Sequence, residues 1–339
     1  MPCENKAYIG GKGGVPMIFL TVLLLLLAGC MLINSQVSLS YANLGLELWF
    51  QKMIPALGPF MILSGIMVRL NLTEKAALAA CPVVKPLYRV RENVVYAMVC
   101  GFLCGFPMGA KVVEDLYTRQ RITRREAEYL LAFCNNIGPI YFVSFVLPLL
   151  GRKLVAPYLL GMYGIPLLYG LLLRWTVYRD LNAPRHSGES SSRRKKSAEL
   201  VCCETLPARR APSLGEKLLE ETDSAIHASV QSLLSLGGYM ILFNLLNLLP
   251  HMALGRPLTV LAPVLEITGG LKLLGDALPL YSFLALSFGG FCCLAQTYSC
   301  IRNTDLSIRS YLFHKVVLTL LTGIYYLGWA LLRPSSFLL

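Results

Sequence analysis

The chain has 339 residues, of which 55% are hydrophobic and only 15% are charged. A soluble globular domain carries about 25% charged residues, so this composition excludes most water-soluble enzymes, disordered chains and coiled coils. The 31 Lys and Arg residues outnumber the 19 Asp and Glu residues, which gives a formal net charge of +12. In a membrane protein such an excess records which loops face the cytoplasm, so we predict no nucleic acid partner.

Long apolar runs bounded by charge predict an all-α polytopic membrane protein with about seven to nine membrane segments. The runs cover about 15–34, 48–69, 93–110, 127–150, 154–176, 224–249, 257–280, 281–300 and 311–332. Basic residues flank 93–110 on both sides, and a full crossing would place them in opposite compartments. We therefore predict a re-entrant helical hairpin at 93–110 that opens from the cytoplasm.

The first segment allows two interpretations. Lys6 and Lys12 precede an apolar run that contains Leu27-Ala28-Gly29-Cys30, the pattern of a lipoprotein cleavage site. The run continues through Met31-Leu32-Ile33, which favours an uncleaved helix.

Composition divides the chain into four parts. We predict an N-terminal membrane segment at 1–44, a first repeat at 45–178, a basic disordered cytoplasmic linker at 179–217 and a second repeat at 218–339. The linker is rich in Ser, Pro and charge, which is typical of a solvated segment. Its basic cluster at 193–196 fixes orientation or, alternatively, binds anionic lipid headgroups.

Short matches relate the two halves of the chain. The matched pairs are Gly58–Leu63 with Gly237–Leu242, Gly105-Phe106 with Gly290-Phe291, and Tyr129-Leu130 with Tyr311-Leu312. The first repeat enters its core helix from outside and the second enters from inside, so we predict two inverted repeats. Inverted repeats with broken helices build midplane binding sites in many secondary transporters.

The first candidate binding residues lie where Gly and Pro interrupt an apolar segment. Gly105, Pro107 and Gly109 precede Lys111, and Pro107 cannot donate a hydrogen bond to the carbonyl of Leu103. Unwound backbone survives in a membrane only when it is buried in protein or lines a cavity. Lys111 either attracts an anionic substrate group or extends to the cytoplasmic surface.

Two amides lie beside a second interruption. Asn135 and Asn136 precede Gly138-Pro139 inside an apolar segment. A buried amide without partners costs about 1 to 3 kcal/mol, so these side chains either bond across helices or bind a ligand.

The second half supplies a comparable set of residues. Gly289 and Gly290 interrupt an apolar segment, and Gln296-Thr297 follows. In the repeat alignment Gln296 corresponds to Lys111, so we predict that the two segments present an amide and a cation toward one centre.

A single acidic residue stands out in the second half. Glu266 lies in the middle of 257–280, where an acid indicates proton or cation coupling or, alternatively, an interfacial position. Ser229, Gln231, Ser232 and Ser235 form a polar stripe, which favours helix packing.

No pattern in the sequence indicates catalysis. Cys100 and Cys104 lie one helical turn apart without a nearby His or acid, which favours packing over metal binding. The four histidines form no cluster, and no nucleophile triad or nucleotide-binding loop is present. We predict no catalytic residues, no metal and no cofactor.

These motifs resemble the YlbJ-type sporulation integral membrane proteins, part of the wider nucleoside-recognition or gate domain group. The resemblance covers about residues 45–332 and rests on 48–60, 105–111, 126–139, 287–290 and 295–296. It implies a protein of the mother-cell or outer forespore membrane of a spore-forming bacterium. It also implies transport of dipicolinate, a small planar anion. The basic linker and Cys292-Cys293 depart from the family pattern.

We therefore predict a membrane transporter or facilitator of a small organic anion. Its partners would be a small anionic metabolite and membrane lipid, and a homo-oligomer is left open. Two alternatives stay open: a non-transporting scaffold that assembles a sporulation complex through the linker, and a nucleoside transporter.

Overall fold

The computed structural model describes residues 17–151, 155–182 and 214–332, and every regular element in these ranges is helical. The first half contains α1 (Met17–Ile33), α2 (Ser35–Arg69), α3 (Thr73–Ala77), α4 (Cys81–Tyr88), α5 (Glu92–Cys104), α6 (Met108–Thr118), α7 (Arg124–Phe133), α8 (Pro139–Leu150) and α9 (Val155–Trp175). The second half contains α10 (Leu214–Leu245), α11 (Leu248–Leu254), α12 (Ala262–Leu265), α13 (Ile267–Leu274), α14 (Pro279–Phe288), α15 (Gly290–Ile301) and α16 (Ile308–Leu332). Lys6, Lys12 and most of the predicted linker lie outside the described residues.

Within the described ranges, five helical stretches are long and apolar enough to cross a membrane. They are Ser35–Arg69, Val155–Trp175, Leu218–Leu254, Pro279–Ile301 and Ile308–Leu332. Three shorter apolar helices accompany them, at Ile18–Ile33, Glu92–Cys104 and Pro139–Leu150. Many large apolar side chains point outward, including Leu32, Leu168 and Leu331. An all-α membrane protein is confirmed, because such a surface is stable only in contact with lipid.

Wide π-helical turns interrupt two of the spanning helices and one of the shorter apolar helices. The turns are Trp49–Met53, Phe142–Val146 and Leu160–Gly164, and each ends two residues before a proline. Proline lacks an N–H, and its ring clashes with the carbonyl four residues earlier in a regular helix. The wider turn relieves this clash, so the prolines bend the helices without ending them.

The long helices α2 and α10 pack closely against each other. A Cβ atom at Gly45 would lie 2.9 Å from the backbone of Ile241, and a Cβ atom at Gly65 would lie 3.3 Å from Ala225. Positions therefore increase along α2 as they decrease along α10, and the helices run antiparallel. Small residues permit this approach, as is common between membrane helices.

The chain folds back on itself twice between spanning helices. Gly101 in α5 and Gly109 in α6 both lie against the carbonyl oxygen of Cys134, so α5 and α6 form a hairpin. A Cβ atom at Gly270 would lie 2.2 Å from the nitrogen of Pro263, so α12 and α13 also form a hairpin. We call these the first hairpin (92–118) and the second hairpin (262–274). The reversal of the first hairpin lies at 105–107, inside the range 93–110 where a re-entrant hairpin was predicted.

The second hairpin does not lie at the position that the short sequence matches predicted. Those matches paired Gly105-Phe106 with Gly290-Phe291, whereas the second reversal occurs at Glu266. The difference arises because Gly289 and Gly290 have φ angles of +83° and +76°, which redirect the helix between α14 and α15. In each half the order is thus a hairpin, an interrupted helix (α7 and α8, then α14 and α15) and a long final helix.

Basic loops gather at one end of the molecule, which we call the basic end. Three contacts join them: Arg69 with Glu221 (3.6 Å), Tyr117 with Asp305 (2.6 Å) and Arg125 with Asp180 (3.4 Å). At the opposite end, which we call the far end, Lys272 lies 3.7 Å from Glu47. The first hairpin starts and finishes at the basic end, and the second hairpin at the far end.

Candidate functional site

The tip of each hairpin packs against the break of the interrupted helix in its own half. A Cβ atom at Gly105 would lie 2.3 Å from the nitrogen of Gly138, and the N–H of Phe106 donates to the carbonyl of Asn136 (2.7 Å). In the second half, a Cβ atom at Gly290 would lie 3.0 Å from the carbonyl oxygen of Pro263. Glycine is required at these contacts because backbone meets backbone.

The first break borders a buried polar centre that side chains of α15 and α16 complete. The Asn135 amide donates to the hydroxyl of Thr297 (2.9 Å) and to the hydroxyl of Tyr311 (3.2 Å). The Asn136 amide donates to the carbonyl of Phe133 (2.6 Å). Asn135 Oδ1 is buried and accepts no hydrogen bond from the described part of the protein. The Asn135 amide therefore donates across helices, one of the two interpretations left open by the sequence, whereas the Asn136 amide donates within its own segment. Asn135 Oδ1 is the acceptor that is left over.

A lysine in the last helix completes this centre. Lys315 is 2% exposed, and its ammonium group donates to the carbonyl of Asn135 (3.2 Å) and to Asn136 Oδ1 (3.4 Å). It forms no ion pair with any residue within the described ranges. A cation buried without a counter-ion is costly, and the hydrogen-bond acceptors that Lys315 meets among the described residues are two neutral oxygens.

The ring of Phe106 covers this cation. Its centre lies 5.1 Å from Lys315 Nζ, within the range of a cation–π interaction. The far edge of the ring faces Gly289, where a Cβ atom would lie 2.8 Å from Phe106 Cζ. Phe106 thus joins the first hairpin to the second interrupted helix.

The structure places Lys111 away from this centre. Its ammonium group lies 2.6 Å from Glu114 and 2.9 Å from Asp115, on the following turn of α6. Burial by itself would lower the pKa of Lys111, but the two carboxylates raise it above its ordinary value. Lys111 is therefore a charged group whose counter-ions already belong to the protein.

Glu266 lies at the tip of the second hairpin and is 2% exposed. Its carboxylate accepts hydrogen bonds from the N–H groups of Thr268 (2.9 Å) and Gly269 (2.6 Å), and from the amide of Asn244 (3.0 Å). The side chain caps α13, where the helix dipole favours a negative charge. Glu266 therefore lies in the interior of the protein, and its carboxylate has a structural role as the cap of α13.

Three cavities follow one another through the molecule. The first, the basic-end cleft, has a volume of about 200 Å³ and is lined by Pro107, Lys111, Gln231, Ser235, Gln296 and Arg302, among others. The second, the inner chamber, is a narrow space of about 40 Å³ lined by Phe106, Gly138, Tyr141, Glu266, Thr268 and Gln296, among others. The third, the far-end cleft, has a volume of about 300 Å³ and is lined by Glu47, Lys52, Ser144 and Lys272, among others.

The walls of these cavities are shared. Gln296 and Leu236 line both the basic-end cleft and the inner chamber, and Ser144 lines both the inner chamber and the far-end cleft. Gln296 donates to Cys292 Sγ (3.0 Å), and its neighbour Thr297 donates to the carbonyl of Cys293 (2.9 Å). The predicted residues thus divide between the polar centre and the cavity walls.

Three members of the polar centre were not among the predicted binding residues: Tyr311, Lys315 and Phe106. Lys315 lies in the apolar run 311–332, close enough to its start to pass for a flanking charge. The rule that a charge within a spanning helix marks a functional site would have singled it out. Phe106 carries no sequence signal, because its role depends on a cation more than 200 positions away in the chain.

Among the residues that the structure describes, no group of three or more His, Cys, Asp or Glu side chains is arranged to hold a metal. Cys104 is buried and packs in the apolar core, and Cys100 packs against that core. The observed chemistry of the centre is a cation, amides, hydroxyls and an aromatic ring.

These features define an all-helical integral membrane protein with a buried polar centre between two hairpins and two interrupted helices. No protein-family profile matches the chain, and no solved structure matches it. Among curated proteins, the chain is similar to the sporulation integral membrane protein YlbJ of Bacillus subtilis (strain 168). The two are 27% identical over 337 aligned residues, which cover 89% of this chain and 78% of the relative. The chain is therefore similar, over most of its length, to a YlbJ-type sporulation integral membrane protein, the family that its motifs resemble.

Proposed function

We propose that this protein moves a small organic anion across the membrane and that Lys315 binds a carboxylate of that anion. The observation that carries the proposal is the burial of Lys315 without an acidic partner in the described ranges. Ionisable groups inside membrane proteins are costly, and they mark substrate and ion pathways. A bound carboxylate would supply the missing negative charge.

The atoms around Lys315 support this assignment. The hydroxyl of Tyr311 lies one helical turn before Lys315 on α16. It accepts a hydrogen bond from Asn135, so its own O–H is a donor that suits a carboxylate. A nucleoside is neutral and offers no counter-charge, so the isolated lysine favours an anion over a nucleoside.

The aromatic ring of Phe106 supports a planar substrate. Aromatic rings attract one another in offset or edge-to-face arrangements, and Phe106 lines the inner chamber beside the polar centre. The family resemblance implies dipicolinate, which combines one aromatic ring with two carboxylates. We therefore propose a small planar dicarboxylate of this kind as the substrate.

We infer that the two halves are inverted repeats that give access to the centre from either side in turn. The antiparallel packing of α2 and α10 supports this relation, as do two hairpins that start from opposite ends of the molecule. The excess of basic residues at one end favours a cytoplasmic location for that end. Alternating access around a fixed midplane site is typical of such repeats.

Glu266 is our proposal for the coupling group. It is the acidic side chain on the wall of the inner chamber, and three hydrogen-bond donors surround its carboxylate. Protonation would remove the charge that these donors stabilise and would loosen the tip of the second hairpin.

The test is uptake of labelled dipicolinate into proteoliposomes that hold the purified protein, with a labelled nucleoside as a second solute. We expect saturable uptake of dipicolinate only. Lys315→Gln removes the cation and keeps most of the side-chain volume, so we expect uptake to fall at least tenfold. Lys75→Gln is the matched control, because Lys75 is an exposed lysine in α3 at the basic end.

Thermal unfolding in detergent must show that both variants are folded. Equal uptake by Lys315→Gln and the wild-type protein would overturn the assignment of Lys315. Absence of uptake of either solute by folded wild-type protein would overturn transport itself and favour the scaffold.

A further inference from the structure

The basic-end cleft has a polar wall that the proposed transport site does not use. It lies between α6, α10 and α15, and its volume of about 200 Å³ is five times that of the inner chamber, which has about 40 Å³. Gln231 and Ser235, on the polar stripe of α10, face it from one side. Arg302 and Asn303, which follow α15, face it from the other side. The stripe therefore borders the cleft, in addition to packing against neighbouring helices.

The basic residues on this wall differ in whether they already pair with an acidic side chain. Lys111 is bound by Glu114 and Asp115, and the Glu114 carboxylate also accepts a hydrogen bond from Thr118 (3.1 Å). Arg302 is exposed and has no acidic partner among the residues that the structure describes. Its guanidinium group is therefore the cation on this wall that remains available to a ligand.

The surrounding charges leave this end slightly positive. Arg69 and Arg119 both lie near the single carboxylate of Glu221, at 3.6 Å and 4.0 Å. Guanidinium groups bind carboxylates in a bidentate arrangement, which is stronger and more directional than a single ammonium contact. Amides and hydroxyls such as those of Gln231 and Ser235 suit a second carboxylate or a ring nitrogen.

We propose that the basic-end cleft is a first binding site for the transported anion, in which Arg302 binds one carboxylate before the anion passes Gln296 toward Lys315. The proposal rests on the transport function above. Gln296 lies on the wall that the cleft shares with the inner chamber, so a ligand that leaves Arg302 meets its amide next. The molecule would then hold two anion sites in series, an exposed one at Arg302 and a buried one at Lys315.

The experiment compares Arg302→Gln with Arg309→Gln. Arg309 is also exposed at the basic end but does not line the cleft, so it controls for the loss of one surface charge. A hydrogen-bonded ion pair contributes about 1.5 to 3 kcal/mol, which corresponds to roughly a tenfold or greater change in affinity. Equilibrium binding of labelled dipicolinate to the purified protein and the KM for uptake are both measured.

We expect Arg302→Gln to weaken binding and to raise the KM about tenfold, while the maximal rate of uptake stays within twofold. Arg309→Gln should match the wild-type protein in all three. Wild-type affinity and KM in Arg302→Gln, together with loss of uptake in Lys315→Gln, would overturn the first site and leave the transport function standing. Binding that depends on Arg302 in a protein that transports nothing would overturn the transport function and leave the site.

Discussion

The ammonium nitrogen of Lys315 lies 5.1 Å from the centre of the Phe106 ring and so ties the last helix to the tip of the first hairpin. The same ring faces Gly289 at the break between α14 and α15. One side chain therefore contacts three elements that are distant in the sequence, and changes at this contact should affect both stability and transport.

Phe106→Leu removes the ring and keeps an apolar side chain. The loss of the cation–π contact and the resulting cavity should lower the free energy of unfolding by about 1 to 3 kcal/mol. Thermal unfolding in detergent measures the change. Phe291→Leu is the control, because Phe291 is 46% exposed and should change stability by less than about 1 kcal/mol. Equal effects of the two substitutions would contradict the role given to Phe106.

Gly289→Ala should destabilise the protein more than a Gly→Ala substitution that only strains the backbone. Gly289 and Gly255 both have positive φ angles, +83° and +67°. The new methyl group would lie 2.8 Å from the ring of Phe106 at position 289 but would meet nothing within 4 Å at position 255. Each substitution carries about 1 to 2 kcal/mol of strain, so we expect Gly289→Ala to destabilise by at least about 1 kcal/mol more. Similar melting temperatures would show that the ring moves aside freely.

Glu126 anchors the start of α7 at the basic end. The carboxylate is 2% exposed, accepts from Nε and Nη2 of Arg91 and accepts from the N–H of Thr123 (2.7 Å) in a capping box. Glu126→Gln should therefore destabilise the protein by about 1 to 2 kcal/mol, because a neutral amide replaces the carboxylate that caps α7 and accepts from Arg91, while the half-exposed Arg91 stays solvated.

The comparison for this prediction is Glu128→Gln. Glu128 pairs with Arg124 at 3.0 Å on the surface of the same helix, and an exposed pair of this kind contributes less than about 1 kcal/mol. Melting temperatures of both variants should separate them clearly. A loss at position 128 as large as that at position 126 would contradict the prediction.

The buried carboxyl group of Asp115, at the basic end, should make the stability of the protein depend on pH. Burial raises the pKa of Asp115 to about 6 in the folded protein, although the Lys111 ammonium group acts in the opposite direction. Between about pH 4 and 6 the folded state therefore holds more protons at this carboxyl than the unfolded state does. The burial of a charged Asp115 destabilises the protein above pH 6, and this effect is relieved as the pH falls through 6.

Unfolding of the wild-type protein and of Asp115→Asn at pH 7 and pH 5 tests this sign. We expect the wild-type protein to gain stability relative to Asp115→Asn at pH 5. Asp180→Asn is the control: Arg125 holds the pKa of Asp180 below its ordinary value, so that carboxyl stays charged across this range. A relative loss of wild-type stability at pH 5 would contradict the prediction.

Sequence alone determined the class of this protein and the places where its helices break. Apolar runs of spanning length, the interruptions near Gly105, Asn135 and Gly289, and the basic flanks are local properties that each stretch of chain carries by itself. The all-helical membrane fold and the first reversal followed directly from them. The interior position of Glu266 was one of two interpretations that the sequence left open.

Only the tertiary structure decided which charges are available and what meets at the centre. Lys111 is satisfied by two carboxylates on its own helix, whereas Lys315 reaches the carbonyl of Asn135, 180 positions earlier in the chain. Whether a buried lysine finds a counter-ion depends on side chains from several helices, and no local periodicity encodes that. The short sequence matches did not reveal the second hairpin for a related reason. The reversal at Glu266 depends on a contact between two helices, in which Gly270 packs against Pro263 across the turn.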